Sequence, residues 1–231
     1  MSTTKVETSR AHYERSGWYN AHGATYEASE TLTYGLTDNW SVYGFIANVF
    51  QHDTGLNNEH NFGYTLGTAY NWTADKWLVQ LHGEYNTYDP RSWYGKRNTD
   101  WTTGNNRWQK FFNAGIKLGY EAGCGFTPYT TFDVDGNFDD ADRWLEYSWF
   151  VGAHKQVDKW AVDAGVRYDF DSDDNEAWYA QAEANYFVKD NITVGVFGDY
   201  YLGGSPQLGG AVTRKDVDYN YDLGLNVKVA F

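Results

Sequence analysis

Residues 217 to 231 read VDYNYDLGLNVKVAF and alternate between two kinds of side chain without a break. A period of two predicts a β-strand, because successive side chains of a strand point to opposite faces. One face is apolar and aromatic and the other is polar or small, so this strand needs an oily medium on one side and a wet one on the other. A transmembrane β-barrel supplies both. The first face carries Val217, Tyr219, Tyr221, Leu223, Leu225, Val227, Val229 and Phe231, and the second carries Asp218, Asn220, Asp222, Gly224, Asn226, Lys228 and Ala230.

The composition of the 231-residue chain is compatible with a barrel although it is polar on average. The mean hydropathy is -0.68 and the net charge is -13, and no run of about 18 apolar residues predicts a membrane-spanning helix. A barrel hides its hydrophobicity because only every second strand residue faces lipid. Aromatic residues make up 19% of the chain and proline occurs only three times, which suits long strands with aromatic girdles.

The sequence also indicates the number of domains and the cellular location of the protein. No linker or low-complexity stretch divides it, so we expect a single barrel domain over residues 1–231. Because its acidic balance offers no basic patch that could neutralise phosphates, we expect no nucleic-acid partner. Met1 to Thr4 lack the basic and apolar pattern of an export signal. We therefore expect the sequence of a mature protein of the bacterial outer membrane, with its signal peptide absent.

A short turn signature recurs along the chain and divides it into hairpins. An Asp is followed by Asn or Lys and then by Trp or Ile, so turn residues precede the start of an apolar row. The wide gap in the middle of the series holds one further turn, Ala122 to Gly125. The four copies are Asp38-Asn39-Trp40, Asp75-Lys76-Trp77, Asp158-Lys159-Trp160 and Asp190-Asn191-Ile192.

These five turns predict an all-β, antiparallel up-and-down transmembrane barrel of twelve strands, with both termini on the side of the short turns. The longer connections then all fall on the opposite side. Alternation is weakest in the first strand, where Glu7 and Arg10 fall on opposite faces, and in the third, where Tyr43 opposes Val42. The predicted strands are 3–15, 23–37, 40–51, 60–72, 76–88, 108–121, 126–136, 144–155, 159–170, 177–188, 191–202 and 217–231.

The inward-facing charges of the later strands predict what such a barrel passes. Twelve strands enclose a bore of roughly a few Å, which admits ions and small solutes. Acids outnumber bases on the inward face, so we expect a negative interior potential and a preference for cations. The predicted acids are Glu84, Glu121, Glu146, Asp163, Asp169, Glu183, Asp199, Asp218 and Asp222, and the predicted bases are Lys117, Lys159, Arg167 and Lys228.

Charged residues near mid-depth are candidates for a constriction, since opposed charges across a narrow pore create a transverse field that orients polar solutes. A histidine next to Glu84 on the same face joins them as pore lining. The alternative is that these residues pair as salt bridges that brace the wall. The candidates are His82, Glu84, Lys117, Glu146, Asp163, Arg167, Glu183 and Asp222.

The stretch from Asp89 to Arg107 is the longest connection and is rich in basic and aromatic residues. Because long loops on a rigid scaffold often carry function, this stretch is a candidate gate over the acidic pore. The alternative is an exposed loop whose cations pair with acidic neighbours or with lipid headgroups. The candidate gating residues are Arg91, Trp93, Tyr94, Arg97 and Trp101.

The sequence predicts no metal site, cofactor or catalytic site. The acidic cluster from Asp171 to Glu176 lacks the spacing of a calcium-binding loop, so we expect a solvated acidic loop. No histidine lies in the sequence context of outer-membrane phospholipases, and neither Gly-x-Ser-x-Gly nor His-Glu-x-x-His occurs. The alternatives to a channel are a barrel without transport, acting as an adhesin or structural protein, and a soluble lipid-binding barrel with its apolar face inside.

The closing residues Gly224, Val227, Val229 and Phe231 resemble the C-terminal signal of bacterial outer-membrane proteins. That resemblance implies recognition by the barrel-assembly machinery. By its length and predicted strand number, the chain is also similar to the small monomeric porins of the oligogalacturonate-specific family, which implies a monomeric channel for small hydrophilic solutes amid outer-membrane lipid and lipopolysaccharide. Those porins carry facing tracks of arginines, whereas here Arg167 stands nearly alone among acids, so we carry over the channel role without the acidic-sugar ligand.

Overall fold

Twelve strands form a closed barrel in the computed structural model, which describes residues 1–15, 19–53, 59–88, 109–138, 145–171, 176–205 and 217–230. Each strand pairs antiparallel with the next one along the chain, and the last strand pairs with the first. The strands are β1 Ser2–Arg15, β2 Tyr19–Gly35, β3 Trp40–Asp53, β4 Glu59–Ala74, β5 Trp77–Tyr88, β6 Gln109–Tyr120, β7 Phe126–Asn137, β8 Leu145–Val157, β9 Trp160–Asp171, β10 Glu176–Lys189, β11 Ile192–Ser205 and β12 Val217–Val229.

The predicted fold class and strand number are confirmed. Most observed strands agree with the predicted spans within about three residues at either end, but β2 differs at its start. We predicted a connection over residues 16–22, whereas β2 begins at Tyr19, which pairs with Arg15 of β1. Backbone pairing with β1 therefore extends the strand through residues whose side chains give little alternation signal.

The short turns lie where the sequence predicts them. Asp75 and Asp158, at the two Asp-Lys turns, adopt φ values of 54° and 49°. This left-handed conformation is the one that tight hairpin turns require, and Asp tolerates it better than most side chains. In the middle turn, Gly123, Cys124 and Gly125 all have positive φ. Tight turns at one end of the barrel fix the register of each hairpin.

The two faces of the sheet are inverted relative to a soluble protein. On β12, Leu225 is 64% exposed whereas its neighbour Asn226 is 2% exposed. On β4, Leu66 is exposed and Thr65 is buried. The apolar row of the alternating pattern thus faces outward and the polar row faces the barrel axis, which is the arrangement that a lipid surround requires.

The first and third strands, whose alternation is weak, are placed by their partners. Tyr43 of β3 reaches Glu84 inside the barrel, whereas Ile46 is exposed outside. On β1, Thr4 lies opposite Val227, which puts Thr4 on the outward face. The hydroxyls of Ser2 and Thr4 both donate to the carboxylate of Glu30 on β2. Glu30 is therefore a polar exception on the outward face.

The described residues contain no helix with the length and apolar character needed to cross a membrane.

Candidate pore lining

Side chains from six consecutive strands, β5 to β10, surround a cavity of about 490 Å³ inside the barrel. A second cavity of about 290 Å³ lies nearer the short turns, where it is lined by Asn71, His154 and Asp163. Gln80, Lys117 and Tyr129 line both cavities and so lie at the level where the two meet. The wall of the first cavity consists of Gln80, Asn113, Lys117, Tyr129, Thr131, Asp133, Asp135, Ser148, Phe150, Arg167 and Gln181.

His82 belongs to a polar cluster that spans three strands. Its Nε2 lies 2.9 Å from Asp133 Oδ1 and 2.9 Å from Asn113 Oδ1. The amide nitrogen of Asn113 in turn donates to Asp135 over 3.0 Å. Gly115 of β6 lies in register between His82 and Asp133, and a Cβ there would be 2.0 Å from Asp133 Oδ1. Because Gly115 has no side chain, side chains of the two flanking strands can make contact across β6.

The same arrangement joins β3 to β5. Tyr43, Gly67 and Glu84 lie in register on three neighbouring strands. The Tyr43 ring covers Gly67, where a Cβ would be 2.2 Å from Tyr43 Cζ, and the Tyr43 hydroxyl donates to Glu84 over 2.6 Å. An inward-facing glycine again lets side chains two strands apart make contact.

Glu183 of β10 collects three donors at one oxygen. Its Oε1 accepts from Lys228 Nζ at 2.9 Å, Asn226 Nδ2 at 3.0 Å and Asn185 Nδ2 at 2.9 Å. Asn185 and Asn226 lie on either side of Gly195 and are both more than nine-tenths buried. This contact joins β10 to β12 and neutralises one inward-facing acid.

Two cations project into the first cavity, which lies on the side of the long connections and is called the loop-side cavity below. Each of these cations lies on an aromatic ring. Lys117 Nζ is 3.8 Å from the ring centroid of Tyr129, and its charge interacts with Asp163 and Glu183. Arg167 Cζ is 4.5 Å from the ring centroid of Tyr179. Its Nε donates to Asp169 over 3.0 Å, and one terminal nitrogen lies 3.6 Å from Asp199.

Carboxylates outnumber these cations on the wall near the long connections. Glu146 lies directly opposite Asp135 on one neighbouring strand and opposite Asp171 on the other. Asp222 lies directly opposite Asp199. Like charges on directly opposite residues weaken a sheet, so stability alone does not explain why these carboxylates lie opposite one another.

All eight residues predicted as constriction candidates are described, and they fall into several groups. The charge of Lys117 interacts with those of Asp163 and Glu183, and Asp163 also contacts His154 at 3.0 Å. The other five candidates lie in the contacts given above. The five candidate gating residues, Arg91, Trp93, Tyr94, Arg97 and Trp101, lie outside the described residues, as does Phe231 of the C-terminal signal.

Sequence reasoning missed several inward-facing polar residues. Asp133 and Asp135 were not among the predicted acids, although they alternate with Phe132 and Val134 on β7. Asn113 was also missed. The available signal was the inward-facing glycine next to each cluster, such as Gly115, which marks where side chains of the flanking strands can meet.

Comparison with known proteins identifies the fold. No protein-family model and no curated protein sequence matches the chain. An outer-membrane channel from Pseudomonas putida F1 is 12% identical and superposes with a TM-score of 0.69 over 99% of this chain and 95% of that one. The NanC porin is 14% identical with a TM-score of 0.59, covering 99% of this chain and 100% of its own.

A KdgM porin, solved in complex with disordered oligogalacturonate, is 4% identical and superposes with a TM-score of 0.60 over 99% of both chains. The predicted architectural similarity to oligogalacturonate porins is thereby confirmed. At such low identity the likeness extends to the fold alone. The chain has the closed barrel fold of outer-membrane porins and channels.

Proposed function

We propose that this chain is a passive channel of the bacterial outer membrane for ions and small hydrophilic solutes, with a preference for cations. The inverted faces of the barrel, its interior cavities and its fold support a channel. The excess of carboxylates on the inward wall near the long connections is the observation that carries the cation preference. Among the described residues, the acids are Asp133 and Asp135, which line the loop-side cavity, and Glu146, Asp169, Asp171, Asp199 and Asp222 on the strands beyond them, against the cations of Lys117 and Arg167.

Coulomb's law indicates that such an excess is sufficient. A monovalent cation about 6 Å from one uncompensated carboxylate gains about 0.7 kcal/mol even at the permittivity of bulk water, and an anion loses as much. One such carboxylate therefore shifts the local cation to anion ratio about tenfold, before salt screening. Seven acids against two cations among the described residues of this wall leave a net negative charge.

Lys117 is the best-supported constriction residue. It borders both cavities together with Gln80 and Tyr129, and its charge interacts with acids three and four strands away. A cation opposite carboxylates across the lumen provides the transverse field expected of a constriction. We include His82, Glu84, Glu146, Asp163, Arg167, Glu183 and Asp222 in the proposed lining.

The test is planar-bilayer recording of the purified protein in a KCl gradient. We expect discrete conductance steps and a reversal potential of the sign given by cation preference. The double variant Asp133→Asn and Asp135→Asn should shift the reversal potential toward zero. The double variant Asp75→Asn and Asp158→Asn is the matched control, because it removes two carboxylates at exposed short turns. Anion selectivity in the wild type would refute the preference, and absence of steps would favour a barrel without transport.

We infer a monomer surrounded by outer-membrane lipid and lipopolysaccharide, assembled through recognition of the C-terminal strand. The connection from Asp89 to Arg107 is the proposed gate. Deletion of residues 91–105 should change the open probability or conductance, and unchanged recordings would remove the gate from the proposal.

A further inference from the structure

The two cations of the loop-side cavity occupy similar surroundings. Lys117 lies on the face of Tyr129 and interacts with the carboxylates of Asp163 and Glu183. Arg167 lies on the face of Tyr179, which is its direct neighbour in register on β10. It is also bound by Asp169 and Asp199. Each surrounding therefore combines an aromatic face with carboxylates.

This combination is selective for a chemical class of cation. The face of an aromatic ring attracts ammonium and guanidinium groups, and carboxylates add charge-assisted hydrogen bonds to them. A strongly hydrated inorganic ion keeps its water shell and gains little from the ring. The lysine and arginine side chains thus show by their own placement what each surrounding binds: a primary ammonium in one case and a guanidinium in the other.

We propose that the lumen binds organic cations that carry a primary amino or guanidino group, which exchange with Lys117 at Tyr129 and with Arg167 at Tyr179. This inference rests on the proposed channel function, because it names the solute class of that pore. Lys117, Tyr129 and Arg167 line the same cavity, so a solute that displaces one side chain remains in the space that contains the other.

Binding is tested with agmatine, which carries an ammonium and a guanidinium, by titration calorimetry on the detergent-solubilised protein. Mg²⁺ at the same concentration is the control for charge without an organic cation. We expect agmatine to bind and Mg²⁺ to bind at least about fivefold more weakly, since the ring contributes only to the organic cation. Equal binding of the two would refute the inference.

Single and double variants measure separately how much the Tyr129 ring and the lysine charge contribute to agmatine binding. Lys117→Ala vacates the surface of Tyr129 and should tighten agmatine binding about fivefold or more, whereas adding Tyr129→Leu should abolish that gain. Lys155→Ala removes an equal charge at a short turn, where Lys155 Nζ donates to the carbonyl oxygen of Cys124, so its gain should stay below about twofold. If Lys155→Ala tightens binding as much as Lys117→Ala, the protein responds to charge alone and the inference is wrong.

Single-channel recording distinguishes this inference from the proposed function. Agmatine should reduce the K⁺ current in a concentration-dependent manner, and more strongly in Lys117→Ala. Conductance steps with no binding of agmatine by calorimetry and no reduction of current would refute the solute class and leave the channel intact. Binding without conductance steps would refute the channel and support the binding site.

Discussion

Replacing Gly165 by alanine should destabilise the barrel, because β9 has no room for a β-carbon there. A Cβ at this position would lie 2.4 Å from Phe150 Cζ and 2.4 Å from the carbonyl oxygen of Val151, with Gly152 Cα at 2.7 Å. Turning the Phe150 ring relieves only the first contact, and this buried ring packs against Tyr129 with centroids 5.3 Å apart. Overpacking by a methyl group costs about 1–3 kcal/mol. Because two of the contacts involve backbone, we expect about 3 kcal/mol.

The assay is urea unfolding of the barrel in lipid vesicles, followed by tryptophan fluorescence, with the midpoint and slope both fitted. Gly83→Ala is the matched control, since a Cβ there meets only the Asn113 carbonyl oxygen at 4.0 Å. Its free energy of unfolding should stay within about 0.5 kcal/mol of the wild type. Combining Gly165→Ala with Phe150→Ala should cost less than the sum of the single changes. Equal midpoints for Gly165→Ala and Gly83→Ala would refute the close approach of β8 and β9.

Three further outcomes are expected. Gly67→Ala should push Tyr43 off its position and break its 2.6 Å hydrogen bond to Glu84, at a cost of about 1–3 kcal/mol in the same assay; an unchanged midpoint would contradict this bridge. Leu225→Arg should lower the free energy of unfolding by about 2–4 kcal/mol if the residue lies near the bilayer midplane. An unchanged free energy of unfolding would contradict the outward, lipid-facing placement of Leu225. Raising the salt from about 0.1 M to about 1 M shortens the Debye length from about 10 Å to about 3 Å, so cation preference should fall; selectivity that is independent of salt would exclude a charge mechanism.

The fold was predictable because two local signals agree along most of the chain. Alternation identifies the strands, and the Asp-led turns fix where each hairpin reverses, as Asp75 and Asp158 do with their left-handed backbone. Strand number, order and facing follow from these two signals. The start of β2 was not predictable, because pairing of Arg15 with Tyr19 is a backbone property that leaves no mark in the side-chain pattern.

The lumen contacts were only partly predictable. The alternating pattern predicts which residues point into the barrel, but it does not predict which of these inward residues contact one another. Those contacts depend on side chains two strands apart, such as His82 and Asp133, that join across an intervening glycine. Nothing in the spacing of His82 and Asp133 along the chain indicates this proximity. Once the register is known, an inward glycine such as Gly115 or Gly67 identifies where to look.

Replacing Glu146 is expected to change the stability of the barrel and its ion selectivity in opposite directions. Asp135, Asp169 and Asp171 all repel its charge, and Arg167 is the cation that opposes them. Relief of a directly opposite like-charge pair is worth roughly 0.2–1 kcal/mol, so Glu146→Gln should stabilise the barrel by about that amount or more. The same change should reduce the cation preference measured in a KCl gradient, because the negative potential of the wall falls. Opposite effects on stability and selectivity would support a role of these acids in conduction. Loss of stability in Glu146→Gln would instead assign this carboxylate to the bracing of the wall.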